Sequence, residues 1–163
     1  MTRKSTVLIP IIIAAVAVGA LGIAFVPQDI RDRDTSFPKG TVKIDNDVIT
    51  VEIAETAAEK QRWMTFRQDQ LPLDTAMLIK HDKPDLHEVW MLNIEYNLDL
   101  IWFDESGNAV YIIKNAPPCG NVVEIISCTY KTTKQALYVM AATSGFIDKH
   151  GISVGSKMTI ISA

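Results

Sequence analysis

Val89-Trp90-Met91-Leu92-Asn93-Ile94-Glu95-Tyr96-Asn97-Leu98-Asp99-Leu100-Ile101-Trp102-Phe103-Asp104 is the stretch from which the fold can be read, and it holds two of the three Trp residues. Its second half alternates as a strand. Leu98, Leu100 and Trp102 share one face, and Asp99, Ile101 and Phe103 share the other. Apolar residues on both faces predict burial on both sides, and so a central strand. Asp99 is then the residue to explain, because a carboxylate between apolar neighbours must be paired, hydrogen-bonded or protonated.

Working outward, residues 41–54 alternate on either side of Asp45-Asn46-Asp47 and predict a hairpin. Thr56-Ala57-Ala58-Glu59 is a capping-box pattern, which predicts a helix over 57–66. A strand at 76–79 follows the turn of Leu71-Pro72-Leu73-Asp74, and residues 81–88 read as a polar loop around Pro84. Strands are expected at 89–93, 98–103, 109–114, 136–142 and 158–161, with one helical turn between Ser144 and Gly151. The fold class is α+β and β-rich: a small barrel of short, mostly antiparallel strands with one or two short helices.

The N-terminus is of another kind. Basic Arg3 and Lys4 precede residues 7–26, which carry no charge. Twenty such residues at a helical rise span ~30 Å, enough for a hydrocarbon core. A single transmembrane helix over residues 1–26 is expected, with a tether over 27–40 and a domain over 41–163. The basic flank places the N-terminus inside and the domain outside the cytoplasmic membrane. A cleaved signal peptide, releasing a secreted domain, is the competing reading. The chain has 16 basic and 19 acidic residues. Setting aside Arg3 and Lys4 leaves 14 against 19, and no basic cluster suited to nucleic acid.

Cys119 and Cys128 lie in one Pro- and Gly-containing loop of that domain. An even count in an oxidising compartment predicts a disulfide, worth ~2–3 kcal/mol by the chain-entropy argument. Metal binding or redox chemistry would need a nearby His or a Cys-x-x-Cys spacing, and neither is present.

Lys114-Asn115-Ala116-Pro117-Pro118-Cys119, Cys128-Thr129-Tyr130, Gly145-Phe146 and His150-Gly151-Ile152, with Trp90-Met91, Asn93, Leu98-Asp99 and Ala76-Met77-Leu78, stand in the order of a known group. From about Val42 to Ile160 the chain resembles the domain of unknown function 192 family, whose members are small β-barrel domains, often exported, without an established activity. The resemblance implies the fold and supplies no reaction. Members typically carry Lys and Thr around the Asn of the Trp-Met motif, where this chain has Leu92 and Ile94, and Trp63 stands where a Gly is usual. Such a loss of polar groups implies binding more than catalysis.

Asp99 is the candidate for chemistry, as an acid facing Asn93 across a hairpin; the plain alternative is a structural carboxylate accepting backbone N–H bonds. Trp90, Met91, Asn93 and Asp99 are the candidate binding set. His81 and His87, with Asp82, Asp85 and Glu88 between and beside them, could hold Zn²⁺ or Cu²⁺, although a solvated polar loop is the commoner outcome. No cofactor is expected. The function expected is a membrane-anchored extracytoplasmic binding or assembly module, an accessory subunit whose partner is another membrane or envelope protein. The alternatives are an envelope-associated hydrolase using Asp99, and a metal-handling domain using residues 81–88.

Overall fold

The computed structural model describes residues 36–120 and 127–162. The apolar segment 7–26 and the tether up to residue 35 lie outside them. Among the described residues no helix is long and apolar enough to cross a membrane.

The domain is built on a seven-stranded sheet. In chain order its elements are β1 (Lys39–Ile44), β2 (Asp47–Ala54), α1 (Ala57–Arg62), β3 (Thr75–Asp85), β4 (Glu88–Trp90), β5 (Leu98–Phe103), β6 (Ala109–Ala116), β7 (Thr129–Lys131), β8 (Ala136–Thr143), α2 (Phe146–Lys149) and β9 (Met158–Ser162). The strand order is β6-β5-β8-β3-β2-β1-β9, and β4 and β7 form a separate two-stranded sheet. Pairing is antiparallel except between β2 and β3, which run parallel through the α1 crossover.

β5 lies between β6 and β8 with all six residues buried. Leu98, Leu100 and Trp102 join one core cluster with Met77, Ile79, Val139 and Ala141. Ile101 and Phe103 join another with Ala76, Leu78, Met140 and Ala142. The alternation along three neighbouring strands puts these clusters on opposite faces of the sheet. The two-sided burial expected of 98–103 is what the structure has. The β1–β2 hairpin also forms, with Asp45 in the left-handed region at φ 50°.

Four expectations need correction. First, the sheet is not a closed barrel. β6 and β9 are its edges; they form no ladder with each other, and the residues just before them meet in the isolated bridge Asn108↔Lys157. Second, the helix after the capping box ends at Arg62, four residues early. The chain turns there to bury Trp63 and Met64, and Phe66 takes φ 59°. Third, β3 continues through the expected loop to Asp85. The register with β8 is interrupted between Lys80 and Asp85, so Pro84 does not interrupt a regular ladder. Fourth, the strand expected at 89–93 is the short β4, and it pairs with β7, not with β5.

At the seam, Met158 N–H donates to the Gly107 carbonyl (2.7 Å), and Gly107 has φ 82°. A Cβ at Gly107 would lie 2.3 Å from the Met158 carbonyl oxygen. Gly107→Ala combines that clash with left-handed strain and should destabilise the domain by about 1–3 kcal/mol in urea unfolding. A loss below about 0.5 kcal/mol would show that the seam gives way without cost.

Candidate functional site

The candidate binding residues do not gather at one point. Asp99 is buried, 1% exposed, on the face opposite Leu98 and Leu100. Its Oδ1 accepts from Asn115 N–H (2.8 Å), and its Oδ2 accepts from Gly145 N–H (3.0 Å) and Ile147 N–H (2.9 Å). Asn93 is exposed, sits at φ 59°, and gives its carbonyl to Phe66 N–H (2.8 Å). The two do not face each other across a hairpin, because β4 is not a neighbour of β5. Met91 is fully buried in the core cluster that holds Trp102. Trp90, 38% exposed, lines a cavity.

That cavity is a groove of about 350 Å³ lined by Ala57, Lys60, Gln61, Trp63, Ile79, His81, Glu88, Val89 and Trp90. Its first wall is α1. Thr56 Oγ1 accepts from Glu59 N–H (3.3 Å) and Glu59 Oε2 accepts from Thr56 N–H (2.8 Å), which fixes the helix start. Positions 57, 60 and 61 then fall on one side of the helix and face the groove. Buried Trp63, Ile79 and Val89 supply apolar surface, and Trp90 on β4 also lines the groove. The volume is at the lower end for small-ligand sites.

The two candidate metal ligands stack on one another. His81 and His87 rings lie 3.4 Å apart between centroids and are inclined by 7°. His87 Nε2–H donates to the Lys83 carbonyl (3.0 Å), and Trp102 Nε1–H donates to the His87 carbonyl (3.0 Å). Asp82 takes the Lys60 ammonium at 3.3 Å, and Asp85 accepts from Leu86 N–H at 2.8 Å. Asp82 and Asp85 are thus turned to other partners. Among the described residues no three of His, Cys, Asp and Glu are placed to hold a metal ion.

His81 is the polar ring inside the groove. Burial pushes it down to about 4, helped by the neighbouring His87 and Lys60 and opposed by Asp82. At neutral pH it is an uncharged imidazole. Its part in the groove was not legible in the sequence, nor were those of Lys60 and Gln61. Three elements separated in the chain bring them together, and the capping box was the only signal that one wall would be helical.

Cys119 and Cys128 form a disulfide with Cα atoms 5.7 Å apart. His150, expected beside a helix end, does end α2, and its ring bridges Asp47 Oδ2 (2.6 Å) and the Leu73 carbonyl (2.7 Å).

An unclosed seven-stranded sheet with two short helices and a groove lined largely by apolar residues defines the class, a small β-rich α+β domain. The family model for DUF192, "Uncharacterized ACR", matches residues 40–160, and the chain belongs to that family. Two solved structures share the fold. One, from Sinorhizobium meliloti 1021 and provisionally described as a transcription regulator, has 21% identity and a TM-score of 0.69, covering 78% of this chain and 97% of that one. The other, of unknown function from Novosphingobium aromaticivorans DSM 12444, has 23% identity and a TM-score of 0.68, covering 78% and 89%. No curated protein matches the chain.

Two outcomes follow from the geometry. Asp99→Asn sets an amide against backbone N–H donors in the core and should cost roughly 3 kcal/mol in urea unfolding. A loss under about 1 kcal/mol would mean that the carboxylate is dispensable to the fold. For His81, the unfolded chain takes its proton near the ordinary 6.5 and the folded chain only near 4. Between those values the unfolded state binds more protons, so stability falls as pH drops from about 6.5 towards 4. After discounting for partial exposure, the loss is on the order of 1 kcal/mol. Urea unfolding at pH 7 and pH 5 should show it in the native chain and much less of it in His81→Gln. Equal slopes in both would refute it.

Proposed function

We propose that this chain is a binding and assembly module held at the cytoplasmic membrane by residues 7–26, with its domain outside, and that it serves as an accessory subunit of a membrane or envelope complex. The observation that carries the reading is the groove. Exposed Trp90 lines it together with Ala57, Lys60 and Gln61 of α1 and buried Trp63, Ile79 and Val89, and an exposed aromatic beside a pocket is a common anchor for partners. The disulfide suits an oxidising compartment. The uncharged N-terminal segment supports attachment to the membrane.

The hydrolase alternative is weaker on this geometry. Both oxygens of Asp99 accept backbone hydrogen bonds, and the carboxylate lies in the core, away from the groove lining. The metal alternative would need His81 and His87 to unstack first.

The test is purification of the full chain in mild detergent. A stoichiometric partner chain should co-elute with it and be lost with Trp90→Ala, while stability changes by no more than about 1 kcal/mol, as for a surface substitution. A lone monomer that no compound in a thermal-shift panel stabilises would sink the proposal.

A further inference from the structure

The small sheet that carries Trp90 has no backbone ladder to the large one. β4 and β7 pair over three residues each, Glu88↔Lys131, Val89↔Tyr130 and Trp90↔Thr129. A two-stranded sheet of this length is marginal by itself and must be held by other ties. Burial supplies one, through Val89, Met91 and Cys128 in the core cluster. The other is covalent. β6, the edge strand of the large sheet, ends at Ala116, and Pro117-Pro118 lead directly to Cys119. Cys128 leads directly into Thr129 and β7. The disulfide thus links the end of one sheet to the start of the other.

Met91 is gripped between the two half-cystines. Its N–H donates to the Cys128 carbonyl (3.1 Å), and its carbonyl accepts from Cys119 N–H (3.0 Å). Trp90 is the preceding residue, so the same clasp fixes the groove wall.

We infer that the Cys119–Cys128 disulfide is a redox-sensitive latch on the groove: oxidised, it holds the β4 wall and Trp90 against the core, and reduced, it lets that wall loosen. The inference rests on the groove as the binding surface. Cys119 is partly buried and Cys128 buried, so Cys119 is the more accessible residue for an external thiolate. A dithiol reductant completes the exchange. The Cys119–Cys128 S–S bond breaks, the reductant's two sulfurs join in a disulfide, and two electrons and two protons leave two thiols on the chain. Binding at Trp90 and the redox state are then coupled, and the coupling is reciprocal: a ligand that prefers the held wall makes the disulfide harder to reduce.

The test needs no ligand, so its outcome is independent of the one that tests binding. Trp63 and Trp102 are 3% and 0% exposed, so acrylamide quenching of the full chain in detergent micelles reports chiefly on Trp90. Dithiothreitol should yield two thiols per chain by titration and raise the quenching constant at least about two-fold. The far-ultraviolet sheet signal should stay unchanged, and re-oxidation should reverse the effect. Trp90→Phe should abolish the rise, and a Cys119→Ser, Cys128→Ser double variant should reproduce the reduced state. Full reduction with unchanged quenching overturns the latch. So does loss of the whole sheet signal, which would make the disulfide a staple for the entire domain. Should the double variant fail to fold, reversible reduction of the native chain decides alone.

Discussion

A carboxylate placed in the core organises this domain. Buried charge is tolerated only where its lone pairs are taken, and Asp99 has three backbone N–H donors from two other parts of the chain. Asn115, at the end of β6, must adopt φ 56° to present its N–H, and Gly145 stands at φ 97° before α2. The carboxylate therefore sets the path of β6 beside β5 and seats the four-residue α2 on the same strand. Phe146 and Ile147 are then pressed into the second core cluster. Asn97 and Ser144 extend this grip at the surface, both donating to Asn115 Oδ1. The polar residue that invites a catalytic reading has both carboxylate oxygens engaged by backbone N–H groups.

The other face of the sheet carries what the first leaves free. There the core cluster is covered by a short helix, irregular turns and the small β4–β7 sheet. Covering layers that are not hydrogen-bonded into the main ladder leave gaps between themselves, and the groove between α1 and β4 is such a gap. Its apolar lining follows from this origin, because buried members of the core cluster, Trp63, Ile79 and Val89, line it.

What was legible in the sequence was whatever one strand or one turn decides alone. The alternation of 98–103 gave the central strand, Asp45-Asn46 gave the hairpin, Thr56 to Glu59 gave the helix start, and two cysteines in one loop gave the disulfide. Choices made by partners far away in the chain were not legible. Whether β4 pairs with β5 or with β7 depends on a segment some forty residues later. Whether the sheet closes depends on how β9 meets β6, and an isolated bridge there leaves no periodic signature. Asp99 was recognised as exceptional, but its donors come from positions 115, 145 and 147, so its role could not be read locally.

The strand order also constrains how the chain can be made. β1, the first strand, has β2 on one side and β9 on the other, and β9 is the last strand formed. β3 likewise waits for β8 to cover its second edge. A ribosome emitting this chain from the N-terminus releases strands whose neighbours do not yet exist, so the backbone N–H and C=O groups on those edges lack their sheet partners until β9 has emerged. Vectorial synthesis therefore delays completion of the sheet until β9, because the pairs that close it are distant in the chain.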